Sequence, residues 1–232
     1  MSNGWSTASN DVTAHEPTGR ELEAVLFDFG GVFINSPFAA AAGAAADLGI
    51  DEAELLELVF GPYETDGDHP WHQLERGERT FEDANGAIAG LIEAAGHPRV
   101  EPMEVLMALA ADRSVRDFMV ELVRDVRGAG LATGIITNNI AEFGSAWRAM
   151  IPVDELFDDV VDSSAVGLRK PDPEIYRLAC RRLDVDPAAA LFVDDHHGNV
   201  VAARSIGLGA ICCGLSVDTT RAAAQQVRSL IG

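Results

Sequence analysis

Lysine is almost absent from this 232-residue sequence. Lysine and arginine together number 17, and Lys170 is the single lysine among them. A coding or solvent bias against lysine accounts for the arginines, but it does not explain why one lysine remains. We therefore treat Lys170 as a candidate functional residue.

Positive charge is scarce in the chain as a whole. The 17 basic residues stand against 37 acidic ones, which gives a formal net charge of −20 at pH 7. A field of that sign repels polyanions, so neither nucleic acid nor an anionic membrane is expected as a partner. Any site that binds an anion must therefore be built from local groups that work against the overall charge.

Cysteines and long apolar runs are also lacking. Three cysteines without metal-ligand spacing, Cys180, Cys212 and Cys213, predict reduced thiols and a cytoplasmic protein. No apolar run is long enough to span a membrane, and the N-terminus lacks the basic start and apolar stretch of a signal peptide. Residues 1–20 contain almost no aliphatic side chains, so we expect a disordered tail there.

The chain does contain enough apolar material for a globular core, since 47% of its residues are hydrophobic. Short apolar runs alternate with helical patterns in 21–37 and 113–232, which predicts an α/β core with a doubly wound parallel sheet. The intervening segment 38–112 has helical patterns and no convincing strand. We therefore predict that 38–112 forms a small helical cap inserted into the core, over the end of the first strand.

Short polar residues mark where several helices begin. Capping residues are predicted at the starts of four helices: Asp51, Thr80, Ser114 and Asp172, the last followed by Pro173 at the first helical position. Helices are also predicted over 103–110 and 142–150, whereas 61–79 is predicted to be irregular.

Polar residues directly follow four of the predicted strands. Because the carboxyl ends of parallel strands share one edge of the sheet, where ligands bind, we expect these residues to meet there. One such ending is ordinary chance, whereas four endings and a lone lysine in a proline-fixed loop indicate a site. The four endings are Asp28, Thr137-Asn138-Asn139, Asp162-Ser163-Ser164 and Asp194-Asp195.

The chemistry of these side chains matches a phosphoryl group. Carboxylates bind Mg²⁺, a lysine supplies a point charge, and hydroxyl and amide groups supply neutral donors. The sequence therefore predicts a Mg²⁺ cofactor and a small phosphorylated substrate. The candidate residues are Asp28, Asp194 and Asp195 for the metal and Lys170, Thr137 and Asn138 for the phosphoryl oxygens.

In this order, the motifs resemble those of the haloacid dehalogenase (HAD) superfamily. They are Asp28-Phe29-Gly30-Gly31-Val32, Thr137-Asn138-Asn139, Lys170-Pro171-Asp172-Pro173, and Val193-Asp194-Asp195 with Asn199. The helical insert is similar to the small cap of that family. The stretch Trp71-His72-Gln73-Leu74-Glu75-Arg76-Gly77 resembles the subgroup that contains the phosphatase domain of soluble epoxide hydrolases and bacterial sugar phosphatases.

The resemblance implies a role for each motif. Asp28 would be the nucleophile that forms an aspartyl-phosphate, and Thr137 and Lys170 would hold the phosphoryl oxygens. The implied activity is that of a Mg²⁺-dependent phosphatase, with the oligomeric state left open between monomer and homodimer. The implied metal ligands are Asp28, the backbone carbonyl of Gly30, and Asp195, with Asp194 nearby.

Gly30 departs from the family pattern, because family phosphatases usually carry a second Asp at this position as general acid and base. Its backbone carbonyl can still reach the metal, but the carboxyl group is missing. General acid–base catalysis contributes about 10²–10⁴-fold, so turnover is expected to be slow unless His69, His72, His196 or His197 substitutes. Without an acid, leaving groups that need no protonation are favoured, such as those of acyl or anomeric phosphates.

Two alternatives stay open. A 2-haloacid dehalogenase also uses an Asp nucleophile and lacks the second Asp, although it does not need the metal site that Asp194 and Asp195 preserve. A non-enzymatic binding protein on the same fold would follow if Gly30 had abolished turnover. A phosphonate-cleaving enzyme is set aside because it needs a lysine in the cap, and 38–112 contains none.

Other polar and aromatic residues have plainer interpretations. Trp71 and Tyr63 are predicted to lie in the core of the cap, with stacking against a sugar as the alternative. Asp162, with the two serines that follow it, is predicted to cap a turn. Arg76 is predicted either to contact an anionic substrate or to form a surface salt bridge.

Overall fold

A five-stranded parallel sheet lies at the centre of the protein, whose computed structural model describes residues 21–98, 102, 105–106 and 114–232. The predicted tail at 1–20 lies outside the described residues, as does most of a helix predicted between 103 and 110. The strands are β1 Ala24–Phe27, β2 Ala132–Thr137, β3 Asp159–Asp162, β4 Ala190–Asp194 and β5 Gly209–Cys212.

The spatial order of the strands is β3-β2-β1-β4-β5, and every neighbouring pair is parallel. The central strand is β1, where Phe27 lies between Ile135 of β2 and Val193 of β4. Strands β2 and β3 lie on one side of β1, and β4 and β5 lie on the other. The carboxyl end of β1 is therefore the topological switch point, where ligands bind in sheets of this kind. The predicted α/β class with a doubly wound sheet is confirmed.

Helices fill the connections between the strands. The α-helices are α1 Ala41–Leu48, α2 Glu52–Phe60, α3 Pro70–Glu75, α4 Phe81–Ala94, α5 Asp117–Gly128, α6 Val153–Leu156, α7 Ser163–Val166, α8 Pro173–Leu183, α9 His197–Ser205 and α10 Val217–Ile231. In the part of the chain that the structure describes, 3₁₀ turns occupy Pro37–Ala40, Ala141–Phe143, Ala146–Ala149 and Pro187–Ala189. Within the described residues, no helix combines the length and apolarity that crossing a bilayer requires.

The two faces of the sheet are covered by different helices because successive side chains of a strand point to opposite sides. Val25 and Phe27 of β1 pack with α5 and α10, whereas Ala24 and Leu26 pack with α8 and α9. All four of these side chains are buried. Burial on both faces explains why the strand reads as a continuous apolar run instead of an alternating one.

Between β1 and α5, helices α1 to α4 form their own apolar cluster. It includes Leu55 and Phe60 of α2 and Ile88 of α4, together with Trp71 and Tyr63, as predicted for the last two. None of the described residues from 38 to 98 lies in a strand. The boundaries of the cap at 38 and 112 stay a prediction.

Helix starts were predicted well where a short polar side chain caps them. The carboxylate of Asp51 accepts from the backbone N–H groups of Ala53 and Glu54, and Thr80 caps α4 in the same way. Asp172 caps α8, with Pro173 at the first helical position. These caps depend on residues two or three positions apart, so they are visible in the sequence.

Three local predictions were wrong. The stretch 61–79 was predicted to be irregular, but it contains α3, which is capped by the ring of His69, an unusual residue for that role. Ser114 was predicted to cap α5, which instead begins at Asp117 without a side-chain cap. A short helix predicted from 142 to 150 is two 3₁₀ turns, separated at Gly144 by a positive φ of 50°.

Candidate active site at the carboxyl edge of the sheet

Asp28 is the first residue after β1 and is held firmly at the edge of the sheet. Its backbone N–H donates to the carbonyl of Val193 at 2.9 Å, which continues the pairing with β4. Its Oδ1 accepts from the backbone N–H of Phe29 at 2.7 Å. Only 8% of the residue is exposed, so the carboxylate is presented in a nearly dry environment.

Lys170 joins the ends of two strands. Its Nζ lies 2.7 Å from Oδ1 of Asp28 and 2.8 Å from Oδ2 of Asp194, and the residue is 1% exposed. Proximity to both carboxylates raises the pKa of the lysine although its burial opposes protonation. The one lysine of the chain is therefore a fixed positive charge beside Asp28.

Asn138, at the end of β2, holds the lysine loop in place. Its Oδ1 accepts from the backbone N–H of Lys170 at 2.8 Å, and its Nδ2 donates to the carbonyl of Lys170 at 3.0 Å. Both ends of the amide therefore contact the backbone of Lys170. A direct contact between Asn138 and the substrate stays a prediction, whereas its contact with the lysine loop is a feature of the fold.

Three carboxylates meet beside this lysine. One oxygen from each of Asp28, Asp194 and Asp195 lies within 4.8 Å of the other two, and all three residues are buried. Asp194 already accepts from Asn199 Nδ2 at 3.0 Å and from Lys170. Both oxygens of Asp194 therefore have protein partners, whereas Oδ2 of Asp28 and the carboxylate of Asp195 could hold a metal, and such hard oxygen ligands suit Mg²⁺.

Burial raises the pKa values of Asp28 and Asp195. Burial is the largest influence on Asp28 and raises its pKa to about 7, against the opposing effect of Lys170. Burial and then the neighbouring carboxylate of Asp194 raise the pKa of Asp195 well above its ordinary value. Three buried carboxylates lie beside one lysine, so a divalent cation would balance the excess negative charge. The donor set therefore fits Mg²⁺.

Gly31 leaves space for the side chain of Asp195. Its φ is +71°, and a Cβ placed there would lie 2.0 Å from Oδ2 of Asp195. The guanidinium of Arg116 stabilises the same loop, because it donates to the carbonyl oxygen of Gly31 and, at 3.2 Å, to Oδ1 of Asn35. Only a residue without a side chain lets Asp195 approach the loop that follows Asp28.

Thr137 completes β2, lies buried at the same edge and lines the cavity there. The third polar strand end serves a different purpose: Asp162 Oδ1 accepts from the backbone N–H of Ser164 at 3.1 Å. Its other oxygen accepts from Asn139 Nδ2 at 2.8 Å. The predicted turn cap at Asp162 is thus confirmed.

A cavity of about 510 Å³ opens above these residues. Its floor contains Asp28, Gly30, Thr137, Lys170 and Asp195. Above the floor the lining is mainly apolar and comes from both the β1–α5 segment and the turns after β2. These lining residues are Ile34, Phe38, Phe60, Tyr63, Trp71, Leu106, Phe143, Ala146, Trp147 and Met150.

The sequence did not reveal the buried ion pair beside the cavity. Arg169 Nε donates to Glu75 Oε2 at 2.7 Å, and the guanidinium lies 5.0 Å from the ring centre of Tyr63. The hydroxyl of Tyr63 donates to the other oxygen of Glu75 at 3.3 Å. Adjacency to Lys170 was the one signal for Arg169, since its partner lies 94 residues away.

The histidines considered as replacement acids are mostly neutral at neutral pH. Burial lowers the pKa of His69 to about 4, that of His72 to about 3 and that of His196 to about 4. His196 lines the cavity, whereas His197 is exposed at the first turn of α9. No protonated imidazole of His69, His72 or His196 is therefore ready to act as the missing acid.

Arg76 has protein partners on the surface of the β1–α5 segment. Its Nε lies 2.8 Å from Oε1 of Glu78, and its guanidinium also pairs with Asp66. Of the two predicted roles, the structure gives it the surface salt bridge. It is absent from the described lining of the cavity.

Comparison with known proteins matches residues 22–207 to the family described as haloacid dehalogenase-like hydrolase. Sesquiterpene phosphatase astK from Aspergillus oryzae is 28% identical and aligned over 91% of this chain and 97% of its own. Acyl-CoA dehydrogenase family member 10 of Mus musculus is 30% identical over 92% of this chain, and bifunctional epoxide hydrolase 2 of the same species is 27% identical over 76%. The chain spans about a fifth and a third of the lengths of those two proteins.

Solved structures share the fold at lower sequence identity. An L-2-haloacid dehalogenase is 24% identical, with a TM-score of 0.64 over 90% of this chain and all of its own. A HAD family enzyme from Bacteroides thetaiotaomicron, solved with magnesium and inorganic phosphate, is 20% identical, with a TM-score of 0.60 over 84% of this chain and 96% of its own. At these identities the likeness establishes the fold alone.

Proposed function

This chain belongs to the haloacid dehalogenase-like hydrolase family, and we propose that it is a Mg²⁺-dependent phosphatase of a small phosphorylated substrate. One observation carries the proposal: Lys170 lies within 2.8 Å of both Asp28 and Asp194, with Asp195 beside them. Relatives that include a sesquiterpene phosphatase support it. A buried nucleophile, a cation and spare carboxylates together are what phosphoryl transfer requires.

In the proposed reaction, a carboxylate oxygen of Asp28 attacks phosphorus. The bond between phosphorus and the leaving oxygen breaks, and that oxygen keeps the electron pair. Water then attacks the phosphorus of the aspartyl-phosphate, which releases inorganic phosphate and returns the carboxylate. Lys170 and Thr137 hold the phosphoryl oxygens during both displacements.

The metal in this proposal would be held by Asp28, Asp195 and the carbonyl of Gly30. When bound, Mg²⁺ supplies Lewis-acid stabilisation of the charge on the phosphoryl oxygens. Asp194 accepts from Lys170 and Asn199, so its role is to orient the lysine and not to complete the metal site. Two of the three clustered carboxylates, those of Asp28 and Asp195, therefore belong to the proposed ligand set.

The cavity supports a substrate whose leaving group needs no proton. Gly30 carries no acid, and the pKa of His196, which also lines the cavity, is lowered to about 4 by burial. When the bond to phosphorus breaks, an acyl phosphate releases a carboxylate, and an anomeric phosphate releases an anomeric oxygen whose acidity is increased by the ring oxygen. Both types are proposed to react faster than simple alkyl phosphates.

The test is phosphate release from acetyl phosphate with and without Mg²⁺, using Asp28→Asn. We expect Asp28→Asn to lose at least about 10³-fold in kcat/KM. Asp162→Asn is the matched control, since this carboxylate ends β3 at the same edge of the sheet but caps the turn that follows. Equal rates for wild type and Asp28→Asn would refute the assignment of the nucleophile.

A dehalogenase is the second candidate, favoured by the absence of a carboxyl group at Gly30. Chelation separates the two, because halide release that persists in EDTA would support the dehalogenase and exclude the phosphatase. We expect phosphate release to stop in EDTA and return when Mg²⁺ is added. No hydrolysis of any substrate with Mg²⁺ would favour a binding protein on this fold.

A further inference from the structure

The charges in the cavity are concentrated at its floor. Asp28, Lys170 and Asp195 are adjacent there. Two more acids reach the cavity lining, but each has a protein partner: Glu75 accepts from Arg169 at 2.7 Å, and Glu142 accepts from the backbone N–H of Phe81 at 2.7 Å. Each wall carboxylate that the structure describes is therefore already engaged with the protein through at least one oxygen.

Each amide of the lining has at least one protein partner, and Oδ1 of Asn199 is the buried amide oxygen that lacks one among the described residues. Asn138 contacts the backbone of Lys170 through both of its polar atoms, and Asn199 donates to Asp194 at 3.0 Å. Asn139 Nδ2 donates to Asp162 at 2.8 Å, and Asn35 Oδ1 accepts from Arg116. A sugar, which needs many hydrogen-bond partners, would find these groups already engaged.

The walls above the floor are aromatic and aliphatic. The rings of Phe60 and Trp71 pack edge to face, with centres 4.9 Å apart. Trp147 packs edge to face against Phe29, with centres 4.8 Å apart. Interlocked rings of this kind form a preshaped apolar surface, and about 510 Å³ lies within the usual range for ligand pockets.

We infer that the group attached to the phosphate is a hydrocarbon, so that the substrate is the phosphate of an apolar alcohol or acid. The inference rests on the proposed phosphatase function and adds the substrate class. Phosphate is held at the polar floor, and the hydrocarbon lies between the wall of Phe38, Phe60 and Trp71 and that of Phe143 and Trp147. Its transfer from water into this cavity supplies the binding free energy.

Acyl phosphates test this inference because their leaving group stays a carboxylate while the chain grows. We expect kcat/KM to rise about threefold to fourfold per methylene group from acetyl to octanoyl phosphate. A flat or falling series, with acetyl phosphate still hydrolysed in an Asp28-dependent manner, would overturn the substrate class and leave the phosphatase function intact. No hydrolysis at any chain length would overturn both.

A pair of variants locates the chain-binding surface. Phe143 lines the cavity and is 36% exposed, so Phe143→Ser removes apolar wall at little cost to folding. We expect it to lower the ratio of octanoyl to acetyl kcat/KM about fivefold or more. Val201→Ser is the control, since Val201 is 50% exposed on α9 and outside this cavity. An equal ratio in Phe143→Ser and wild type would contradict the placement.

Binding without turnover gives an independent readout. Calorimetry of Asp28→Asn with octyl and with ethyl phosphate, both in Mg²⁺, measures the contribution of the chain alone. We expect octyl phosphate to bind at least about 100-fold more tightly. Equal affinities would refute the hydrocarbon site even if the rates had followed chain length.

Discussion

At the scale of single residues, the neighbours Gly30 and Gly31 meet different demands. Gly31 has a positive φ, and its missing Cβ leaves the space that Asp195 uses. Around Gly30, a Cβ would meet nothing within 4 Å. The first glycine is therefore replaceable on steric grounds, and its effect is chemical: it removes a carboxyl group from the floor of the cavity.

Gly30→Asp is expected to restore general acid–base help. The open space allows the side chain, so kcat/KM on phenyl phosphate should rise by about 10²-fold. On acetyl phosphate kcat/KM, which reports the first displacement, should change little because the leaving group needs no proton. Steady-state kinetics on both substrates measures the effect. Gly30→Asn is the matched control of nearly the same shape, and an equal gain in that variant would show that acid chemistry is not the cause.

His72 is expected to make the fold sensitive to acid. Its side chain is fully buried, and burial lowers its pKa from 6.5 to about 3 in the folded state. Between pH 6.5 and about 3, the imidazole is protonated in the unfolded chain but neutral in the folded chain. The contribution of His72 to the free energy of unfolding is therefore fully present above pH 6.5 and is lost progressively as the pH falls. The slope is up to about 1.4 kcal/mol per pH unit.

Chemical denaturation at pH 7.5, 6.0 and 5.0 measures this contribution. The free energy of unfolding of His72→Gln should fall less steeply with acid than that of wild type. His197→Gln removes an exposed imidazole and should follow the wild-type slope. Parallel slopes for His72→Gln and wild type would contradict the burial argument.

At the scale of elements, α3 is tied to the loop that carries Lys170. The tie is the ion pair of Glu75, the last residue of α3, with Arg169, both nearly inaccessible to solvent. A buried pair contributes little net stability over an apolar pair, but losing one partner leaves the other charge buried alone. The pair therefore makes the position of α3 and that of the lysine loop depend on each other.

Glu75→Gln should reduce the free energy of unfolding by up to about 3–5 kcal/mol, because Arg169 would keep its charge in a dry place with Asp66, 3.5 Å away, as a remaining partner. Glu78→Gln is the control: it breaks an Arg–Glu pair of the same type that is largely exposed at the glutamate and should cost less than about 1 kcal/mol. Urea denaturation compares the two. Similar losses in both variants would mean that burial of the first pair is unimportant.

At the scale of the whole molecule, the net charge of −20 and the carboxylate cluster predict a response to cations of two kinds. Any salt screens the general repulsion, whereas only a divalent cation would bridge Asp28 and Asp195. Comparing MgCl₂ with NaCl at equal ionic strength separates these contributions. The difference between the two salts isolates the proposed metal site.

Mg²⁺ is expected to raise Tm beyond the effect of matched NaCl, since a ligand that binds the folded state adds about 2.7 kcal/mol at 100 times its Kd. Thermal unfolding of wild type and of Asp195→Asn provides the measurement. The extra shift should disappear in Asp195→Asn and persist in Asp162→Asn. A shift of equal size in both salts would refute a specific site.

The parallel sheet and the convergence of its polar strand ends could be predicted from the sequence pattern. Asp28, Thr137 and Asp194 could be placed together because each follows or completes an apolar run, and parallel strands bring their carboxyl ends to one edge. The caps at Asp51 and Asp172 were equally visible, because they depend on residues two or three positions apart. These features follow from local pattern and from the few topologies that the pattern allows.

The contact partners of the residues within and around the site could be identified only in the folded chain. Arg169 meets Glu75 across 94 residues, and Asn138 contacts the backbone of Lys170 across 32, distances over which no sequence spacing indicates contact. The neutral state of the buried histidines and the apolar walls of the cavity also depend on which surfaces the fold covers. Burial and pairing are properties of the packed chain, because water is excluded by neighbours that are distant in sequence.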